Sequence, residues 1–133
     1  MRTLGHCVAA AVLVVVAALP SGCKDSSTAP TGPAVANSTD NFAYSTPRYD
    51  GHTGTESYAW HNTGTSADVI QASSLTNGFA TLTISDAAAV QVYQATLSAA
   101  GTFQTAIGSA GTWNIRVDYA HAIGSVSFTV KKY

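Results

Sequence analysis

The stretch Gly111-Thr112-Trp113-Asn114-Ile115-Arg116-Val117 decides the fold, and Gly124-Ser125-Val126-Ser127-Phe128-Thr129-Val130 repeats its pattern. In both, a glycine leads apolar residues at the second, fourth and sixth positions after it, with polar residues between. A third copy runs from Gly78 through Ala80, Leu82 and Ile84, interleaved with Thr81 and Thr83. Successive side chains of an extended chain point to opposite faces, so a period of two marks strands with one face buried and one wet. The glycine ahead of each run suits a tight turn that needs positive φ. On this reading Trp113, Ile115, Val117, Val126, Phe128 and Val130 share one core, with Trp113 as its anchor. The Trp113 strand is expected to form a hairpin with residues 126–130 through residues 118–125.

Working outward, residues 41–45, 56–63 and 67–72 are weaker strand candidates with the same β-rich, turn-bounded character. Residues 90–97 alternate less cleanly, with either Val90 and Val92 or Tyr93, Ala95 and Leu97 facing inward. The run Asp86-Ala87-Ala88-Ala89 is too short to stand alone as a helix and reads as a turn. About seven strands, joined mostly by Gly, Ser, Thr and Asn, predict an all-β fold: an antiparallel β-sandwich or flattened barrel.

Upstream the composition differs. Arg2 is followed by thirteen residues, Cys7 to Leu19, without a charge or strong polar group, then by Pro20-Ser21-Gly22 and Cys23. That order is a secretory signal, and the apolar run is shorter than the roughly 20 residues a membrane-spanning helix needs. Cys23 is the last cysteine of the chain, so after removal of residues 1–22 it has no intramolecular partner for a disulfide. Leu19-Pro20-Ser21-Gly22-Cys23 resembles the bacterial lipobox, although Pro20 stands where that family prefers leucine. The resemblance implies that Cys23 becomes the lipidated N-terminus of the mature protein, held on the membrane by its acyl chains, each buried methylene contributing about 0.8 kcal/mol. Residues 24–39 contain no aromatic. They read as a flexible tether with a root-mean-square reach of about 20 Å, leaving residues 40–133 as one domain. Lys24 after the cysteine fits, by the same resemblance, an outer-membrane or cell-surface location.

The mature chain carries five basic residues against seven acidic ones, a net of −2, and only Lys131 and Lys132 are adjacent. Nucleic acid and anionic lipid surfaces demand clustered cations, so neither is an expected partner. Candidate chemistry is sparse. No Gly-x-Ser-x-Gly elbow occurs, and His52, His61 and His121 are the only histidines after the leader. His52 and His61, with Asp50 and Glu56 nearby, share no short metal-ligand spacing. No catalytic residue, metal or cofactor is therefore expected. The aromatic residues Tyr44, Tyr49, Tyr58 and Trp60 admit two readings. They form a ligand platform whose rings stack on sugars, or Tyr58 and Trp60 share an inward strand face with Glu56 and Asn62.

Tyr58-Ala59-Trp60, the Gly78 run, Val92-Tyr93 and the Gly111 and Gly124 runs together resemble bacterial pre-peptidase C-terminal-type domains over roughly residues 56–131. The resemblance implies a small, non-catalytic, jelly-roll-like β-sandwich associated with adhesion, carbohydrate or substrate contact. Where those domains often show closely spaced aspartates, this chain has Ala87-Ala88-Ala89, so a calcium site there is not expected. The sequence thus points first to a lipid-anchored binding or adhesion module facing glycan or another envelope protein. A structural envelope subunit pairing through edge strands comes second, and a hydrolase or metal-binding protein third.

Overall fold

The computed structural model describes residues 32–133, so the expected signal peptide, Cys23 and most of the tether lie outside the described residues. Nine strands make up the rest: β1 Ala34–Ser38, β2 Asn41–Ser45, β3 Tyr49–Asn62, β4 Ala67–Gln71, β5 Ser74–Ser85, β6 Gln91–Thr96, β7 Gly101–Gln104, β8 Gly111–Ser125 and β9 Ser127–Lys132. They form a five-stranded sheet in the order β1-β2-β9-β4-β7 and a four-stranded sheet in the order β3-β8-β5-β6, with every pairing antiparallel. From β2 onward the chain changes sheet at every connection except β5 to β6. Eight strands wound in that way are a jelly roll, with β1 added along one edge.

The core fills the space between the sheets. Trp113, Ile115, Val117, Val126 and Val130 are fully buried and Phe128 nearly so, as the alternation predicts. They pack with Phe42, Trp60, Val69, Leu82, Ile84 and Leu97. Trp60 and Trp113 meet edge to face with ring centroids 5.8 Å apart, a favoured aromatic geometry. Both indole N–H groups are satisfied, Trp60 Nε1 by the Ser38 carbonyl at 3.1 Å and Trp113 Nε1 by that of Ser109 at 2.7 Å. Opposite β6, Ile84 pairs with Tyr93 and Leu82 with Ala95, so Tyr93, Ala95 and Leu97 face inward; Val92 is buried in the core as well, beside the irregularity between Ile84 and Ser85, while Val90 is 57% exposed, so each expected set holds in part.

The expected hairpin does not form. β8 runs on past Val117 to Ser125 between β3 and β5, and β9 lies in the opposite sheet between β2 and β4. The reason is a bulge. Two β8 residues oppose one on each neighbour around His121, which has a φ of 48°, and the extra residue moves the inward set from odd positions (Trp113 to Tyr119) to even ones (Ala122 to Val130). Gly78 and Gly124 lie inside β5 and β8 rather than in turns, at φ of 72° and 124°. A Cβ on Gly124 would stand 2.1 Å from the Ser74 carbonyl oxygen, so close strand approach is what demands glycine there. Likewise β1 falls within the segment expected to be tether. All five of its residues are exposed, so pairing with β2 holds it through the backbone, which composition does not reveal.

The register places Ala34, Ser45, Ser127 and Gly101 at one end of the sandwich with Tyr49 and Gly124. This is the lower end. At the upper end, Asp40 accepts bonds from the Thr63 backbone N–H at 2.7 Å and the Lys132 ammonium at 3.5 Å, joining β1–β2, β3–β4 and the end of β9.

Candidate functional site

The four aromatic candidates do not form a platform. Trp60 is fully buried and Tyr44 is 2% exposed, while Tyr49 and Tyr58 are half-buried against the same core. Strand parity explains this, since Glu56, Tyr58, Trp60 and Asn62 share the inward face of β3. The structure instead gathers Tyr44, Tyr58 and Glu56 with a residue that sequence reasoning missed, Tyr119 of β8. Its signal was available, because Tyr119 continues the odd-numbered inward set of Trp113, Ile115 and Val117.

These side chains form a directed chain. Tyr44 donates to Glu56 Oε2 at 2.5 Å, Tyr58 donates to the same oxygen at 2.9 Å, and the Tyr44 and Tyr119 hydroxyls are 2.5 Å apart. Since the Tyr44 proton goes to Glu56, Tyr119 donates to the Tyr44 oxygen. Burial raises the pKa of Tyr44 and of Tyr119 far above the usual phenol value, with the bond to Glu56 adding to the effect at Tyr44. Tyr58 is pushed up to about 12, again by burial first and Glu56 second. The cluster thus holds protonated phenols on one carboxylate. It fixes β2, β3 and β8 to one another, and its buried polar atoms are satisfied.

His52 belongs to the lower margin of this cluster, stacked on Tyr49 at 4.3 Å and set edge-on to Tyr119 at 4.9 Å. His61 and His121 are exposed on β3 and β8, and Asp50 is exposed on β3. Among the described residues, no group of three or more His, Cys, Asp and Glu side chains comes together in a way that fits a metal ion. Asp86 is 6% exposed. It accepts backbone N–H bonds from Ala88 at 3.0 Å, Val90 at 2.8 Å and Ser109 at 2.8 Å, which hold its carboxyl below the usual range. It is a latch between the 86–90 and 105–110 loops.

A surface with a different character lies on the outer side of the four-stranded sheet. Cross-strand partners share a face, which sets Thr55, Asp118 and Thr81 in one row and Ser57, Arg116 and Thr83 in the next. Asp118 Oδ1 accepts from Thr55 Oγ1 at 2.6 Å and from Arg116 Nη2 at 3.0 Å. The Thr55 bond and then Arg116 hold its carboxyl below the usual range. Toward the lower end of the same face stands Phe79, 67% exposed. Toward the upper end, a depression of about 400 Å³ is lined by residues that include Ala59, Ser85, Thr112 and Asn114 and is walled by the Asp86–Ala89 loop.

No family model, curated protein or solved structure matches the chain.

Proposed function

We propose that the protein is an exported, lipid-anchored jelly-roll module that acts by contact rather than catalysis, held above a bacterial membrane by Cys23 and facing glycan or another envelope protein. The observation that carries this reading is the path of the chain. β1 starts at the lower end, at Ala34 opposite Ser45, so a tether from Cys23 leads into that end. The upper loops and the outer sheet faces then stand clear of the lipid. Anchoring near the partner raises effective concentration, which lets weak individual contacts hold. A non-catalytic role is supported by the engagement of two candidate groups, since His52 is taken up in ring stacking and Glu56 in phenol hydrogen bonds. The resemblance to pre-peptidase C-terminal-type domains, carried by the strand residues, points the same way.

A structural subunit joined through sheet edges is the second reading. β1 favours it, as five exposed, uncharged residues at the edge of the larger sheet are the kind of strand that pairs with another chain.

The anchor is tested by comparing the wild type with Cys23→Ser for incorporation of labelled palmitate and for partition into detergent. Loss of label and release from membranes in the variant are expected. Identical partition without label in either protein removes the anchor. Contact is tested by a pull-down from solubilised envelope with the full-length chain, and retention of no component removes that part of the reading.

A further inference from the structure

We propose that the outer face of the four-stranded sheet binds a neutral, linear glycan laid along β5 and β8, stacked on Phe79 and hydrogen-bonded by Asp118 and Arg116. The proposal rests on the contact function above and names the ligand class and the surface that serves it.

Three observations on that face converge. Phe79 is a large apolar ring left 67% exposed among threonines and serines, where burial elsewhere in the core was the favourable alternative. It stands there by strand alternation, outward with Thr81 and Thr83 while Ala80 and Leu82 are buried, and a backbone irregularity lies beside it. The pairing of β5 with β8 breaks register between Asn77 and Phe79, and Gly78 sits at a φ of 72°, where a Cβ would stand 2.1 Å from the His121 carbonyl oxygen. Bulges of this kind re-aim side chains and concentrate beside functional sites. A planar ring facing solvent fits the apolar C–H face of a pyranose.

Next along the face come hydrogen-bonding groups with capacity to spare. The bonds to Asp118 from Thr55 and Arg116 all fall on Oδ1, and among the described residues no donor engages Oδ2. Arg116 binds through Nε and Nη2, which leaves Nη1 without a partner among the described residues, on a side chain that is 53% exposed. A carboxylate oxygen and a guanidinium N–H side by side can take a vicinal diol, one hydroxyl donating and the other accepting. Beyond them lies the depression between Ala59, Asn114 and Ser85. From Phe79 to Ser85 the strand covers about 20 Å, room for several sugar units in line.

Charge decides which polymer fits. Three formally charged side chains stand on the β3, β5 and β8 rows of this face: Arg116 and Asp118, which form an ion pair at 3.0 Å, and the exposed Asp50 in the row of Ile123 and Asn77. The ion pair cancels and leaves Asp50 as one net negative charge, which disfavours a polyanion and is too little to steer a polycation, while most other polar groups of the face are neutral hydroxyls and amides.

The test is isothermal titration of the detergent-solubilised full-length chain with hexasaccharides of β-linked glucose and of β-linked N-acetylglucosamine, with heparin as the polyanion comparison. Saturable binding of a neutral hexasaccharide is expected. Phe79→Ala and Asp118→Asn each weaken it roughly ten-fold or more, the scale of one lost aromatic or charge-assisted contact. Val35→Ala, on β1 in the opposite sheet, leaves it unchanged. Phe79→Ala removes an exposed ring, and an unaltered melting curve confirms that lost binding is not lost folding. The proposal is overturned if neither hexasaccharide binds at millimolar concentration, if heparin binds in their place, or if Phe79→Ala binds like the wild type. The pull-down separates the two levels. An envelope component retained equally by wild type and Phe79→Ala leaves the contact function standing and removes this surface, and a retained protein that survives glycan digestion does the same.

Discussion

Raising the pH above 10 should unfold this domain by forcing protons off tyrosines that the fold holds neutral. Tyr44 and Tyr119 are 2% and 4% exposed, with their hydroxyls in line to the Glu56 carboxylate. Burial raises both in the folded state from an ordinary value of 10.0. The sign follows from linkage. Their contribution is fully present below pH 10, where both states are protonated, and is lost as the pH rises toward the folded values, because the unfolded chain gives up protons that the folded one retains. Each such group costs about 1.4 kcal/mol per pH unit beyond 10. The pair therefore removes about 3 kcal/mol by pH 11 and about 5 to 6 by pH 12, against the 5 to 15 typical of a small domain. Tyr58, Tyr49 and Tyr93 are raised in the same direction. Urea denaturation followed by tryptophan fluorescence from pH 7 to 11.5 should show a flat plateau and then a steep fall above pH 10. The Tyr44→Phe, Tyr119→Phe double variant should be less stable at pH 7, having lost its bonds to Glu56 and Tyr44, and should decline less steeply with pH. An identical alkaline slope in wild type and variant would refute the argument that these two phenols carry it.

Trp113→Ala should cost about 3 to 5 kcal/mol by thermal or urea melting, since it empties a fully buried site and takes the edge-on partner from Trp60; a melting curve within error of wild type contradicts the core described. Gly124→Ala should destabilise much more than Gly51→Ala, although both have positive φ. A Cβ at 124 lies 2.1 Å from the Ser74 oxygen, whereas at 51 it meets nothing within 4 Å; equal losses in melting temperature would count against the close strand approach. Gln71→Met should be neutral or stabilising by about 1 kcal/mol in urea titrations, because among the described residues the buried Gln71 Oε1 has no partner and the side-chain amide bonds only to the Tyr93 hydroxyl, at 2.7 Å.

Where a strand keeps one parity from end to end, the sequence was enough to find it and its inward face. Ile115, Val117, Phe128 and Val130 were readable as core on that basis, and Trp60 on strand parity. The run from Trp113 to Val130 misled at one point only. The bulge at His121 swaps the inward parity, and the chain then passes between sheets at Val126 with no turn residue to mark the crossing. An alternation that continues through a change of sheet looks the same as one that turns back. β1 and β7 left no trace because all their residues are exposed, so no apolar face records them. As for the site, Tyr44, Tyr49, Tyr58 and Trp60 were found as residues of interest, but their burial depends on how β2, β3 and β8 meet, which is long-range information. Phe79 went unnoticed although its signal was available, because the alternation that turns Ala80, Leu82 and Ile84 inward turns Phe79 outward with Thr81 and Thr83.

The outer sheet face should hold a neutral glycan without turning it over. The most direct test is co-sedimentation of the full-length chain with an insoluble neutral polysaccharide, with soluble reducing ends assayed over the same hours. The account predicts saturable retention on the polymer and no release of reducing sugar. A chain that stays in the supernatant, or one that liberates sugar at a rate abolished by a His52→Ala substitution, would contradict it.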